Sequence, residues 1–401
     1  MPDYTPTASE RRGIGARIRQ FRAIRGFSLT ELGRRAHVSA SQLCRIEGGT
    51  RSASPAVEAG IARALGVTVA VLHGQPYIHM LQAERLDALL TPISSALHSW
   101  DIPPDEAPPR RLDDLTNDVR RIVQLRISTE FAKIAESLPA LIVEASAVAL
   151  TVPAGEPRER AYRLAAELAR TAAIMAYRLG YMDLARLALS RMAAVAPHSG
   201  DPAQVAIERL ERSAMTHAQS GRPDRGMALM RVALRDLDDD GTEVTRAVRG
   251  SLYVRAASLA FQQRDESSAH DWLGQARELA EQTGDVYHHA LTFGPFGVAL
   301  ALMGAENDRD DHAAALSRAS EMRLPPHCPP TLAAHFMIRK ARAEAWTAHH
   351  EEALRSLLSA RETAPQLTRY HPHTHETVGT LLRARRAPAE QLREYARWSG
   401  V

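Results

Sequence analysis

Arginine is the residue type whose placement first suggests a chemistry. Residues 10–75 contain eleven arginines and four glutamates, whereas the whole chain of 401 residues carries a formal net charge of only +3. The positive charge is therefore concentrated in this N-terminal segment, and the remainder of the chain is mildly acidic. Clustered guanidinium groups favour binding to a polyanion, and nucleic acid is the commonest one. From charge alone, a solvated basic surface without a partner is an equally good interpretation.

A histidine-rich segment near residue 371 is the second group with a possible chemistry. His371, His373 and His375 alternate along the chain, and imidazole is a common metal ligand. His371 and His375 could share a helical face only if that helix began before Pro372, and no cysteine or pair of carboxylates reinforces the set. We therefore predict no metal site and no cofactor.

No motif for catalysis accompanies these residues. The chain has no phosphate-binding glycine loop, no G-x-S-x-G nucleophile motif and no H-E-x-x-H zinc motif. Its only cysteines are Cys44 and Cys328, which excludes a disulfide framework and a thiolate zinc site. We predict that the protein is not an enzyme.

The composition indicates a helical protein with more than one unit. A chain of 401 residues is too long for one compact core, and 45% hydrophobic with 24% charged residues is ordinary globular composition. Aromatic residues make up only 5%, and the many Ala, Leu, Arg and Glu residues favour helices. The N-terminus has no apolar signal core, and no run of 18 uncharged apolar residues occurs. We expect a cytoplasmic, nucleoid-associated protein with no membrane partner.

The basic segment contains the start and stop signals of short helices. Apolar residues recur at helical spacing from Ile14 to Phe21, and Gly26 ends that helix. Capping boxes at Ser28 and Ser39 begin the next two helices. The remaining signals predict a fourth helix from Ser54 and Pro55 to Gly66, and a short fifth helix from Thr68 through Val71 and Leu72.

Two short helices joined by His37-Val38-Ser39 have the geometry that lets the later helix enter a major groove. At these residues the sequence resembles the Cro/C1-type (XRE) helix-turn-helix domain of phage repressors. The stretch IGARIRQFRAIRGFSLTELGRRAHVSASQLCRIEGG, then SPAVEAGIARALGVTVAVL, matches the family's order of helices, caps and glycines over residues 14–72. The resemblance implies a five-helix head that binds double-stranded operator DNA.

The same resemblance implies which residues meet DNA. Arg45 is the best candidate for a bidentate guanine contact, because its planar fork matches the O6 and N7 acceptors. Arg22 and Glu47 match an internal ion pair of the family, and Leu29 replaces a glutamine that often binds phosphate there, so that contact is not expected. Cys44 on the same helix is either a redox switch or a small, partly buried residue without a role. The DNA-binding residues that we predict are Ser39, Ala40, Ser41, Gln42, Arg45 and Arg51.

A pattern of small and apolar residues repeats along the chain after residue 160. It starts at residues 185, 226, 269, 312 and 353, with 41 to 43 residues between starts, and places a large apolar residue four positions after each start. The pattern resembles the tetratricopeptide (TPR) motif. Pro197 and Pro365 fall at the motif's proline position, and Gly180, Gly221 and Gly304 at its turn between paired helices. The predicted fold class is all-α, an N-terminal five-helix helix-turn-helix domain followed by a TPR-like α-solenoid.

Three segments follow from these patterns. We predict a DNA-binding domain at residues 10–75, a linker helix with a Pro-rich loop at 76–110, and a TPR-like sensor and dimerisation domain at 111–401 that ends in a capping pair. Helices are expected near residues 77–98, 112–137 and 139–152. The layout resembles actinobacterial XRE-TPR regulators, including Phe293-Gly294-Pro295, and more distantly the RRNPP class, in which a TPR body binds a signalling peptide. Gly297 replaces an Asn that many of the nearer relatives carry.

The first helix of each TPR pair supplies the concave surface, which is where a ligand would bind. Aromatic side chains beside arginines and amides suit an amphipathic ligand with an acceptor group, such as a short peptide or a small acidic metabolite. Packing between helices is the competing interpretation for every one of them. The predicted ligand-binding residues are Arg170, Tyr177, Arg178, Met215, Gln219, Ser258, Phe261, Gln262, His335, Arg342 and Trp346.

These features together predict a homodimeric, sequence-specific transcriptional regulator whose TPR-like body binds a small signal molecule or peptide that modulates operator binding. Two alternatives remain. The body is a scaffold that docks a protein partner, or the regulator works without a ligand.

Overall fold

The computed structural model describes residues 8–51, 53, 55–65, 67, 69, 72, 80–102, 110–220, 223–288, 291–384 and 389–401. The chain divides into two compact units. The first unit comprises residues 1–77 with 214–225, and the second comprises residues 78–213 with 226–401.

The N-terminal segment forms four helices whose limits follow the capping signals. Ser28 Oγ accepts the Glu31 N–H at 3.1 Å, and Ser39 Oγ accepts the Gln42 N–H at 3.1 Å, so both predicted N-caps are confirmed. Gly26 has φ +67° after the first helix, a conformation that glycine adopts without strain. The helices are α1 (Ala8–Ile24), α2 (Leu29–Ala36), α3 (Ala40–Glu47) and α4 (Pro55–Leu65).

Some predicted signals of the head lie outside the described residues. These are Ser54, Gly66, Thr68 and Val71. Of the predicted fifth helix, Val69 and Leu72 are described, and both are helical.

One apolar core holds the helices of the head together. Helices α1 and α3 approach so closely that a Cβ atom at Gly15 would lie 2.3 Å from the carbonyl oxygen of Ile46. Only glycine fits there. The most deeply buried side chains of this core are Ile18, Leu32, Leu43, Ile61, Leu65 and Leu72.

Three helices precede the repeats of the second unit: α5 (Met80–His98), α6 (Leu112–Ile127) and α7 (Phe131–Thr151). The predicted break before Pro139 is wrong. The chain turns at residues 128–130, where Thr129 has φ +60°, and Pro139 lies inside α7. The predicted Pro-rich loop falls mostly on residues 103–109, which lie outside the described residues.

Helix α7 is the one helix, among those described, that is long and apolar enough to span a membrane. Nine of its residues are buried against neighbouring helices, including Phe131, Leu138 and Val148. Its Glu144 forms an ion pair with Arg110 at 2.6 Å. These contacts are those of a core helix of a globular unit.

The repeats form successive pairs of helices, as predicted. At the five repeat starts, the residues Ala185, Gly226, Ala269, His312 and Ala353 all lie buried near the beginning of the second helix of a pair. The pairs are α8 (Glu156–Leu179) with α9 (Met182–Val195), α10 (Pro202–Ser220) with α11 (Pro223–Asp236), α12 (Glu243–Gln262) with α13 (Glu266–Thr283), α14 (Pro295–Asp308) with α15 (His312–Glu321), and α16 (Pro330–Trp346) with α17 (His350–Thr363). A 3₁₀ turn (Ala196–His198) follows α9.

The predicted turn glycines have different outcomes. Gly180 has φ +86° and ends α8, as expected. Gly221 lies outside the described residues. Gly304 is not at a turn but inside α14, where a Cβ atom would lie 2.9 Å from Cζ of Arg339. Its small size makes room for that guanidinium group.

A short antiparallel hairpin, β1 (Val286–His288) and β2 (Leu291–Phe293), interrupts the helices before α14. The sequence did not predict it. Phe293 is buried, and a Cβ atom at Gly250 would lie 1.9 Å from the Phe293 ring. Gly294 has φ +144° and Pro295 begins α14, so the Phe-Gly-Pro motif fixes the entry into this helix.

The last helices are α18 (Pro365–Tyr370), α19 (Pro372–Ala384) and α20 (Glu390–Ser399). The buried Tyr395 hydroxyl donates to the Leu357 carbonyl oxygen at 3.0 Å, which fastens α20 to the fifth pair. The Phe131 N–H donates to Gln366 Oε1 at 2.7 Å and joins the beginning of α7 to α18. The end of the second unit therefore contacts its beginning.

Candidate functional site

The position of α3 in the head is set by a tight turn after α2. His37 adopts the left-handed conformation (φ 54°, ψ 39°), and its N–H donates to the Gly33 carbonyl oxygen. A Cβ atom at Gly33 would lie 2.4 Å from the Val38 carbonyl oxygen, so the chain can reverse closely against α2 only at glycine. Leu43 and Ile46 then bury one side of α3, which turns its other side outward.

The outward side of α3 contains the residues predicted to bind DNA. Ser41 and Arg45 are exposed, one helical turn apart, and Ala40 and Gln42 are partly exposed. The Ser39 hydroxyl is exposed but already caps α3. All six predicted residues are exposed or partly exposed, including Arg51 after α3, and their contact with DNA stays a prediction.

Arg45 is held only weakly within the protein. Its Nε and Nη2 atoms donate at 3.3 Å to the carbonyl oxygen and the hydroxyl of Ser41, both exposed contacts. Among the described residues, neither Arg45 nor Arg51 forms an ion pair with a carboxylate. Both charges are therefore available to an external anion.

Other arginines of the head have partners within the domain. Arg22 forms a bidentate pair with Glu47 at 2.7 and 2.9 Å, as the resemblance implied, and also donates to the Phe27 carbonyl oxygen at 3.0 Å. Arg34 and Arg35 both bind Glu31, and their hydrogen bonds lower the pKa of that carboxyl to about 2. Because these arginines are paired within the domain, Arg45 and Arg51 remain as the candidates for DNA contacts near α3.

Cys44 is exposed on the outward side of α3, next to Arg45. The interpretation of a partly buried residue is therefore wrong, because the core side of α3 is occupied by Leu43 and Ile46.

In the second unit, two of the predicted ligand-binding arginines are already paired. Arg170 on α8 is almost fully buried and binds Glu211 at 2.9 Å. Arg342 on α16 binds Asp308 at 2.9 Å and Glu376 at 3.3 Å. Both arginines join neighbouring helices.

Of four other predicted ligand-binding residues, three make packing or local contacts and one is exposed. Phe261 is buried, with the Arg309 guanidinium 4.5 Å from its ring centroid. Trp346 is 39% exposed and stacks on His312 at 5.3 Å. The Ser258 hydroxyl donates to the carbonyl oxygen of Val254 on its own helix, and Gln262 is exposed.

Met215 and Gln219 lie in segment 214–225, which groups with the first unit. Met215 is buried, and the side chain of Gln219 lies outside the described residues.

Tyr177, Arg178 and His335 are the remaining predicted ligand-binding residues, and the side chain of each is partly buried. Burial raises the pKa of the Tyr177 hydroxyl and lowers the pKa of His335 well below its ordinary value. The charge of Arg178 lowers the pKa of both groups, which opposes the effect of burial at Tyr177 and adds to it at His335, so Arg178 on α8 lies near His335 on α16. These three side chains, which come from the first helices of the first and fifth pairs, form a polar group.

Three further residues near this polar group were not predicted from the sequence. They are Arg255 on α12, Arg339 on α16 and His371 before α19. The positive charge of Arg255 acts on Tyr177, and that of Arg339 acts on His335 and His371. A signal for the arginines existed, because each stands fourteen residues before its repeat start, at 269 and 353.

The histidines near residue 371 make contacts within the protein. The His371 ring lies 5.3 Å from the ring of His335, His373 contacts Glu376 at 3.3 Å, and His375 Nε2 contacts the Arg369 carbonyl oxygen at 2.7 Å. Within the described part of the chain, no three metal-ligating side chains converge.

Two cavities lie elsewhere in the second unit. One, of about 240 Å³, is mainly apolar and is lined by residues such as Leu90, Phe131, Tyr370 and Trp398. The other, of about 430 Å³, is polar and lies beside Arg249 and Glu278 on α12 and α13.

Comparisons with known proteins agree with the geometry of the head. Residues 14–73 match the family model described as a helix-turn-helix domain. This stretch contains the turn, α3 and the Arg22–Glu47 pair, so these residues form a helix-turn-helix DNA-binding domain. No curated protein matches the chain.

Two solved structures are similar to this chain. One is PlcR from Bacillus thuringiensis in complex with the peptide PapR7 and DNA, at 15% identity and a TM-score of 0.28, with 68% of this chain and 95% of that chain covered. The other is the apo form of the competence regulator ComR from Streptococcus vestibularis, at 14% identity and a TM-score of 0.26, with 76% and 99% covered. Both TM-scores are low, and neither likeness supports a conclusion about what this chain binds.

Proposed function

We propose that this protein is a homodimeric, sequence-specific transcriptional regulator, in which a head at residues 10–75 binds operator DNA and a body at residues 111–401 binds a small signal molecule or peptide. The observation that carries the proposal is the accessible side of α3 in the helix-turn-helix domain. There Ser41 and Arg45 stand one turn apart, and Arg45 has no carboxylate partner among the described residues. Such a side chain can reach base edges in a major groove.

The number of heads on DNA follows from the size of the domain. One α3 spans only a few base pairs, so specific recognition requires two copies on two half-sites about one helical turn apart. A two-fold symmetric dimer matches the pseudo-symmetry of such an operator. We place the dimer contacts in the body, after residue 111.

Regulation by a ligand requires unequal affinity for two arrangements of the protein. A ligand that binds both arrangements equally shifts nothing, and a preference of a few kcal/mol is needed. The polar group of Tyr177, Arg178 and His335 supports this role, because the charge of Arg178 on the first pair acts on His335 on the fifth pair.

The DNA-binding part of the proposal is tested by selecting bound sequences from a pool of randomised duplexes with the full chain. We expect enrichment of two related half-sites, a complex with two chains per duplex, and an affinity that falls steeply with salt. The variant Ser41→Ala/Arg45→Ala should enrich no motif, whereas Arg235→Gln, an exposed substitution on α11, should enrich the parent's motif. Recovery of random sequences by the parent would overturn sequence-specific binding.

The role of the body is tested by native mass spectrometry of the protein from its own host, with and without operator DNA. A retained mass of small-molecule or short-peptide size that is lost when DNA binds, or required for binding, supports ligand sensing. A retained polypeptide chain would favour the scaffold alternative. DNA binding that is identical with and without host extract would favour a regulator without a ligand.

A further inference from the structure

The second unit contains three arginines that form no ion pair with a carboxylate among the described residues. Arg178, Arg255 and Arg339, which we call the arginine cluster, come from α8, α12 and α16, the first helices of the first, third and fifth pairs. Tyr177 interacts electrostatically with Arg178 and Arg255, and His371 with Arg178 and Arg339. Residues more than 150 positions apart in sequence therefore converge.

Burial acts on the guanidinium groups of Arg178 and Arg339. The pKa of Arg178 is lowered to about 10, mainly by burial; the charge of Glu211 opposes this shift, and the charges of Arg126 and Arg170 add to it. Burial also lowers the pKa of Arg339, with a contribution from Arg255. The protonated states of Arg178 and Arg339 are thus maintained at a cost in free energy.

The other arginines whose charges act on Arg178 or Arg339 each have a carboxylate partner among the described residues. Arg126 binds Glu167 at 2.5 Å, and Arg170 binds Glu211. Arg342 binds both Asp308 and Glu376. Six guanidinium groups therefore face four carboxylates in this region, which leaves an excess of two positive charges.

The cluster itself has unused hydrogen-bond donors. Nη1 of Arg178 and Nε of Arg255 are buried and have no hydrogen-bond partner among the described residues. Arg339 donates to the Leu300 carbonyl oxygen at 2.6 Å, where Gly304 gives it room, but forms no ion pair there. A buried donor without an acceptor costs about 1 to 3 kcal/mol, and more when it is charged.

We propose that the arginine cluster is a binding site for a small, doubly charged oxyanion, of the phosphate or dicarboxylate type. Guanidinium groups bind such anions through paired N–H donors, and two negative charges match the local excess. The Tyr177 hydroxyl and the neutral imidazoles of His335 and His371 border the site and can donate further hydrogen bonds. A neutral or cationic ligand would leave the buried charge uncompensated.

The origin of the three arginines indicates what the anion does. In its absence, the like charges of Arg255 and Arg339, from the third and fifth pairs, repel each other. An anion that also binds Arg178 of the first pair neutralises these charges and holds the three helices together. The inference rests on the proposed ligand sensing and specifies the chemistry of the ligand. An anion that draws these helix pairs together binds that arrangement more tightly than one in which the pairs are apart, and this difference in affinity is what a signal requires.

The experiment measures binding of defined anions to the full chain by calorimetry and thermal unfolding. The probes are inorganic phosphate, a phosphate monoester, succinate, and a short peptide as its free acid and as its amide, each compared with chloride at equal ionic strength. We expect one saturable site per chain, stabilisation that increases with anion concentration, and stronger binding by the dianions than by the peptide acid.

The variants distinguish a binding role from a structural one. Arg178→Gln and Arg255→Gln should each weaken dianion binding by about tenfold or more, and should also raise the unfolding temperature of the anion-free protein because a buried unpaired charge is removed. Arg→Lys at either position keeps the charge without the planar fork and should bind the dianion more weakly than the parent. Arg235→Gln, exposed on α11, should behave as the parent.

The proposal is overturned if no dianion stabilises the protein more than chloride does, or if the peptide amide binds as well as the free acid. It is also overturned if both Arg→Gln variants bind dianions like the parent. Operator binding is measured separately by fluorescence anisotropy. A dianion that binds at the cluster without changing operator affinity would support the anion site and refute ligand sensing.

Discussion

Replacement of Arg45 by alanine is the sharpest test of how the head reads DNA. Arg45 is exposed on α3, and its contacts inside the protein are two hydrogen bonds of 3.3 Å to Ser41. It has no part in the core formed by Leu43 and Ile46. The substitution should therefore leave the free energy of unfolding within about 0.5 kcal/mol of the parent.

The effect on DNA binding should be much larger. A bidentate contact of an arginine with guanine contributes about 1 to 3 kcal/mol of discrimination. Operator affinity should fall by a factor of about 5 to 150, and one position of each half-site should lose its preference for guanine. If Arg45 bound only a phosphate, affinity would fall equally on all sequences, and the salt slope would decrease by about 1.

Fluorescence anisotropy with the selected operator, with single-base substitutions of it, and at several salt concentrations separates these cases. Arg45→Lys is the matched variant, since it keeps the charge but loses the planar fork. It should bind nonspecific DNA like the parent and still lose the guanine preference. Arg235→Ala on α11 is the remote control. A variant Arg45→Ala that binds every sequence as the parent does would refute the assignment of α3 as the recognition helix in this register.

Further predictions concern the packing and the titration of the two units. Gly15→Ala should abolish specific DNA binding and lower the midpoint of head unfolding, because the new Cβ atom would lie 2.3 Å from the Ile46 carbonyl oxygen; circular dichroism in urea measures this. Gly250→Ala should destabilise the second unit by about 1 to 3 kcal/mol, because the new Cβ atom would overpack against Phe293. Adding Phe293→Leu to the same chain should restore part of that loss. If the destabilising effects of the two substitutions simply added, the contact would be contradicted. The free energy of unfolding should decrease as the pH falls below about 6.5. Burial lowers the pKa of His335 and His371 in the folded protein, so these histidines bind protons in the unfolded chain but remain neutral in the folded one, and each contributes up to about 1.4 kcal/mol per pH unit. Urea titrations at pH 7.5, 6.5 and 5.5 measure this dependence, and the double variant His335→Gln/His371→Gln should show a smaller slope.

The sequence predicted the elements whose signals are local. Ser28 and Ser39 begin helices because a hydroxyl can accept an N–H three residues ahead whatever surrounds it. The repeat starts were found because each helix pair uses the same packing positions, so small residues recur at a nearly constant interval. The Arg22–Glu47 pair came from a resemblance over a short domain, and it is present with both hydrogen bonds.

The misplaced boundary at Pro139 shows the limit of local signals. A proline usually interrupts a helix, yet α7 continues through it, and the chain turns instead at Thr129. The buried faces of α7 decide this, because packing of a long apolar helix outweighs the loss of one backbone hydrogen bond. The hairpin before α14 is similar, since Phe293 enters the core only where Gly250 leaves space on another helix.

The sequence by itself determined that this protein is helical, that its N-terminal segment has the residues of a helix-turn-helix domain, and that a repeat of about 42 residues follows. Only the tertiary structure decided which arginines remain free. Arg170 and Arg342 find carboxylates on neighbouring helices, whereas Arg178 and Arg255 each keep a buried N–H group without a partner among the described residues. The reason is physical: a charge is paired or unpaired according to which side chains lie within a few ångströms, and here the partner of Arg170 on α8 is Glu211 on α10, 41 residues away in sequence.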